Sequence, residues 1–122
     1  MPTKLKSMEN TQVRNPRSLF IKDIFEVVPN YVVIKTIFQK TTGNINVISC
    51  YTGDVLTLKI IPFDNFIQII EGQVEIIIDG KSTLLITGQS IIIPAHSSSI
   101  LNARERLRMI STIIKSGYDE LG

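Results

Sequence analysis

From Ser18 onward, apolar residues come in short runs rich in Ile, Val, Phe and Thr, with turn residues recurring about every 8–12 positions, the spacing of an all-β domain. Strands are predicted over 19–25, 31–38, 45–51, 55–61, 66–71, 74–78, 82–87, 90–93, 97–102 and 107–115. The punctuation agrees: the stretches 41–44 and 51–54, Asp79-Gly80 and Thr87-Gly88 each set a glycine beside Asn, Asp or Thr, where a hairpin needs positive φ or a tight reversal. Pro29, Pro62 and Pro94 fall at run ends, where a missing N–H spoils no central ladder. The best helix candidate, around 22–28, is short, β-branched and stopped by Pro29, so at most one helical turn is expected.

Several strands are apolar on both faces. In FIQII (66–70), VEIII (74–78) and SIII (90–93), Ile occupies odd and even positions alike, so a barrel interior can hide only half of them. A homodimer joined sheet to sheet is the expected cover for the other half.

Residues 1–17 are polar, lack periodicity and contain Pro2 and Pro16, which reads as a flexible N-terminal tail; 18–116 form one domain and 117–122 a C-terminal tail. At 122 residues, 43% hydrophobic and 20% charged, the chain is long enough to bury a core and unlike a disordered one. The net charge of +2 is too small to recruit nucleic acid or a membrane, and it is uneven: residues 1–40 carry seven basic and three acidic side chains, whereas 41–122 carry six and eight. Tail bases Lys4, Lys6, Arg14 and Arg17 come without any nucleic-acid-binding motif. Cys50 is the only cysteine, which rules out an internal disulfide and a cysteine-based zinc site within one chain and points to a cytoplasmic location. No apolar run approaches the roughly 18 residues of a membrane span.

Residues 53–103, GDVLTLKIIPFDNFIQIIEGQVEIIIDGKSTLLITGQSIIIPAHSSSILNA, resemble the core of the cupin superfamily, most specifically in EGQVEIIIDG and in Gly88 to Pro94 of GQSIIIPAH. The resemblance implies a double-stranded β-helix, or jelly-roll barrel. It also implies two His and a Glu from the first motif and a His from the second as metal ligands. Counting back from Gly72, those positions fall on Lys59, Ile61 and Asn65; counting from Pro94, the last falls on Ser99, with His96 where the family has a turn glycine. Ile has no lone pair, an ammonium repels a cation, and Asn and Ser are weak neutral donors, so no metal, no cofactor and no metal-dependent reaction are expected.

If strand alternation runs through 55–61, Thr57, Lys59 and Ile61 face inward and Lys59 becomes an anion-binding candidate. Phe63, Asn65, Phe66, Gln68 and Ser99 would line or rim the same mouth. His96, the sole histidine, lies on a predicted turn outside the barrel, Cys50 reads as a buried structural thiol, and RERLR (104–108) as a solvated hairpin. The expected function is non-catalytic binding or sensing of a small molecule at the barrel mouth. Two alternatives are a metal-independent isomerase or epimerase, which lacks an inward histidine here, and a structural dimer with a plugged barrel.

Overall fold

A computed structural model describes residues 4–8, 18, 21–25 and 31–115. The strands, in order, are β1 Lys4–Met8, β2 Tyr31–Lys40, β3 Gly43–Cys50, β4 Val55–Leu58, β5 Asp64–Glu71, β6 Gln73–Ile78, β7 Lys81–Ile86, β8 Ser90–Ile93, β9 Ser99–Ala103 and β10 Leu107–Ile114. They form a six-stranded sheet, ordered β1-β2-β3-β10-β5-β8, and a four-stranded one, ordered β4-β9-β6-β7. Every pairing except β1 with β2 is antiparallel. This is the all-β class the periodicity predicts and the barrel the resemblance implies, and from β5 onward the strands begin and end within two residues of the predicted bounds.

Alternation along each strand sends one set of side chains between the sheets. Val32, Ile48, Ile67, Ile69 and Met109 from the larger sheet meet Leu56, Val74, Ile76, Leu85 and Leu101 from the smaller, all at 7% exposure or less. Each such side chain contributes about 1.5–3 kcal/mol of transfer free energy. The turns are those the residues dictate: Asp79 (φ 47°) and Gly80 (φ 85°) both take positive φ in a two-residue hairpin between β6 and β7.

Gly72 joins β5 to β6 at φ 106°, and a Cβ there would overlap the carbonyl oxygen of Arg106. Only glycine meets both demands. The close approach lets β6 leave the larger sheet for the smaller in a single residue.

Three expectations are corrected. Lys4–Met8, placed in the tail, form an edge strand parallel to β2, a geometry reached through the long connection 9–30; the rest of both proposed tails lies outside the described residues. Where a strand is expected over 19–25, Ile21–Ile24 make one 3₁₀ turn instead, and no described strand pairs with it; residues 19–20 lie outside the described residues. The strand expected at 55–61 stops at Leu58, and its phase is reversed. Leu56 and Leu58 turn inward while Thr57 and Lys59 are exposed, because burying two leucines costs nothing and burying an ammonium without a counter-ion costs several kcal/mol by order of magnitude.

Candidate functional site

One end of the barrel is built from four connections: the 41–42 and 79–80 turns and the loops 59–63 and 94–98. The loops are held by short backbone bonds. The His96 amide donates to the Ile61 carbonyl (2.8 Å), the Ala95 amide to Asp64 Oδ1 (2.9 Å) and the Ser98 amide to Asp79 Oδ1 (2.9 Å). The Ser98 amide and the Ser97 hydroxyl hold the Asp79 carboxyl below its usual range. His96 itself takes φ 68° at the tip of its turn, exposed, where a non-glycine residue is strained.

Toward this end the barrel lining changes character. Cross-strand registers put Ile34, Ile48, Met109 and Ile69 in one inward row of the larger sheet. The next row outward is Thr36, Asn46, Ser111, Ile67 and Ile91, and the last holds Asn44, Ile113, Asn65 and Ile93. On the facing sheet the outermost inward row is Leu58, Ser99 and Ile78. The barrel is therefore hydrocarbon at one end and carries hydroxyls and carboxamides at the other.

These groups are partly bonded to one another. Thr36 Oγ1 donates to Asn46 Oδ1 (2.6 Å), Asn46 Nδ2 to Asn44 Oδ1 (3.1 Å) and Ser111 Oγ to Asn65 Oδ1 (2.6 Å). Asn65 and Ser111 are 7% and 3% exposed and Ser99 is 3%. The Nδ2 hydrogens of Asn65 and the hydroxyl of Ser99 have no hydrogen-bond partner among the described residues. Neither atom is sealed from solvent, since Arg108 Nε is the one side-chain atom among these residues both sealed and unpartnered. Two opposed sheets thus offer spare polar valence to the space between them.

Of the residues singled out from sequence, Asn65 and Ser99 enter this interior. Lys59 is exposed beyond the end of β4, and Ile61 is half-buried in the rim loop with its carbonyl held by His96. Phe63 is half-buried in the same loop, with the Lys115 ammonium 5.7 Å from its ring centre. Gln68 does not line the mouth. Asn65, Ile67 and Ile69 point inward, so Gln68 and Phe66 point to the outer face, where Gln68 sits between Ile110 and Ser90. Sequence reasoning missed Thr36, Asn44, Asn46 and Ser111. Their signal was polar residues at the inward phase of otherwise apolar strands, a pattern that needs the register to become visible.

Cys50 is buried under the apolar half, and burial, then the Asp54 carboxylate, push its thiol up to about 12. On the outer face of the smaller sheet Glu75 accepts from Ser82 Oγ (2.6 Å), Asn102 Nδ2 (3.1 Å) and Arg104 Nη2 (2.9 Å), which hold its carboxyl below the usual range, the Ser82 bond most.

Neither a family model nor a curated protein matches the chain. Solved structures do. A conserved protein of unknown function from Streptococcus pyogenes is 24% identical at a TM-score of 0.75, with 84% of this chain and 90% of that one covered. A cupin superfamily protein from Desulfitobacterium hafniense is 20% identical at 0.76, covering 84% and 94%. An RmlC-like cupin from Desulfovibrio desulfuricans is 16% identical at 0.72, covering 83% and 98%. The chain has the cupin fold. The metal that this fold holds elsewhere does not fit here: the four corresponding positions supply an exposed ammonium, an isoleucine, a carboxamide already bonded to Ser111, and a hydroxyl. No group of three or more His, Cys, Asp or Glu side chains able to hold a metal ion gathers among the described residues, and no described helix is long and apolar enough to cross a membrane.

Proposed function

We propose that this cupin-fold chain is a binding module for a small uncharged molecule bearing hydroxyl or amide groups, taken up at the polar end of the barrel. The observation that carries the reading is the unspent hydrogen-bonding capacity of Asn65 and Ser99, inward on opposite sheets in the outermost rows of this end, at 7% and 3% exposure. Inward polar side chains here are Thr, Asn and Ser without charge, so an ionised ligand group would be desolvated without a counter-charge, whereas a neutral one exchanges water for carboxamide and hydroxyl partners. Acid–base turnover has little support, because the one imidazole sits exposed on a rim turn.

A thermal-shift screen of neutral polyols, sugars and amides, run beside matched carboxylates, phosphates and divalent metal ions, tests the reading. A ligand at 100 times its Kd stabilises by about 2.7 kcal/mol, several degrees for a domain of this size. A response to neutral compounds that disappears in Asn65→Leu supports the proposal. A response confined to anions or metals contradicts it.

A further inference from the structure

β7 is the last strand of the smaller sheet, and among the described strands it pairs with β6 alone. The two-residue turn 79–80 closes on a hydrogen-bonded pair, Ile78 with Lys81, and antiparallel bonding alternates from there. Lys81, Thr83 and Leu85 therefore bond to β6, whereas the N–H and C=O groups of Ser82, Leu84 and Ile86 point off the sheet. Ile86 bears out the phase. Its amide donates to Gln89 Oε1 (2.9 Å) and its carbonyl accepts from the Gln89 amide (3.0 Å), which caps that end of the edge. The main chain of Ser82 and Leu84 has no such cap among the described residues, and residues 81–84 are all exposed.

Exposed sheet edges are ordinarily blunted by proline, a bulge or charge. β7 has neither proline nor register shift over its six residues, and Lys81 is its one charged side chain. The edge strands β4 and β8 are four residues each, and β8 runs into Pro94. Beside the open edge, Leu84 is 53% exposed and shares with Ser82 the wall of a depression of about 350 Å³, lined also by Gln73, Glu75 and Arg104. Lys81 makes no ion pair among the described residues.

We infer that β7 receives an extended segment of a partner protein as an added antiparallel strand, apolar where it passes Leu84 and Ser82 and acidic where it passes Lys81. The amides and carbonyls of Ser82 and Leu84 supply the main-chain bonds, and the alternate side chains supply the selectivity. Apolar groups cover Leu84 and enter the depression beside it, and a carboxylate meets the Lys81 ammonium. A second copy of β7 fits less well: bonding Ser82 to the partner's Leu84 would set Lys81 against the partner's Leu85 and leave its charge unpaired.

This inference is independent of the ligand at the polar end and is tested on the full chain by following backbone amide NMR signals. The probe is the peptide acetyl-Thr-Val-Thr-Val-Glu-amide, whose valines in the antiparallel register pass Leu84 and Ser82 and whose glutamate passes Lys81. Signals of residues 81–85 should shift with a dissociation constant on the order of 0.1–1 mM, and hydrogen exchange at Ser82 and Leu84 should slow. N-methylation of the second valine, whose amide donates to the Ser82 carbonyl, should weaken binding about fivefold, roughly the worth of one hydrogen bond. Lys81→Glu should weaken it as well and favour the same peptide ending in lysine. Leu84→Pro removes an amide that β6 does not use, so it should fold and lose the peptide; should it not fold, the charge exchange at residue 81 decides. Absence of shifts at 81–85, shifts confined to β4, β8 or the barrel mouth, or binding indifferent to both N-methylation and the charge at residue 81 overturns the inference. So does a doubled mass by light scattering with the same amides shifting on dilution, which would put a second copy on this edge.

Discussion

Ser111→Ala is the sharpest probe of the polar end, because the hydroxyl it deletes donates a 2.6 Å bond to Asn65 Oδ1 with both residues at least nine-tenths buried. The loss has two parts: the net worth of the bond, about 0.5–1.5 kcal/mol, and the penalty for a carboxamide oxygen left with no donor, about 1–3 kcal/mol if no water reaches it. Since the amide faces the barrel's open end, partial hydration puts the expected cost at about 1–2 kcal/mol. At this chain length that is roughly 3–6 °C of Tm per kcal/mol. Asn65→Leu alone should cost a similar amount by stranding the Ser111 hydroxyl. The double variant Asn65→Leu/Ser111→Ala removes donor and acceptor together at nearly constant volume, and should return to within about 0.5 kcal/mol of wild type. Urea melts of the four proteins give the coupling energy directly. Additive effects, or a Ser111→Ala protein as stable as wild type, would mean that water replaces the hydroxyl freely and that the pair is not a buried polar unit. The double variant also separates folding from recognition, as it should keep the barrel and lose affinity for neutral polar ligands.

Gly72→Ala should be destabilising by about 3 kcal/mol or more, since the methyl group meets the Arg106 carbonyl and φ 106° strains any L-residue; thermal denaturation reads it, and a loss below about 1 kcal/mol would show that the β5–β6 junction relaxes freely. His96→Gly should raise stability by up to about 1 kcal/mol by relieving a left-handed backbone at φ 68°, with no effect on ligand affinity. Because the folded Cys50 thiol titrates near 12 and its ordinary value is 9.0, the native state holds that proton more tightly than the unfolded chain. Its contribution is therefore complete below about pH 9 and is lost as pH rises toward 12, by at most about 1.4 kcal/mol per unit. Cys50→Ala should flatten that alkaline decline, and wild-type thiol alkylation at pH 8 should proceed only as fast as the chain opens.

The uncharged lining changes what kind of ligand chemistry the fold can host here. A metal-binding barrel of this shape needs a cluster of imidazoles and carboxylates, whose mutual repulsion the cation relieves. Thr36, Asn44, Asn46, Asn65 and Ser111 repel one another little and already share three hydrogen bonds, so the polar end is stable without a central ion.

The run-and-turn spacing by itself determined that the chain is all-β, because period-two patterning and glycine-bearing turns act over a few residues. Asp79-Gly80 and Gly72 do locally what their sequence demands. That the four positions to which the cupin resemblance assigns metal ligands carry Lys59, Ile61, Asn65 and Ser99 was legible by counting from Gly72 and Pro94. Which face each residue occupies was decided only by the tertiary structure. A strand's alternation specifies two sets of side chains without saying which is inside, and one bulge or a strand ending early exchanges them. That is why Lys59 and Gln68 fall outside, Phe38 turns onto an open sheet, and Thr36, Asn46 and Ser111, distant in sequence, form one polar row through pairing that no local pattern encodes.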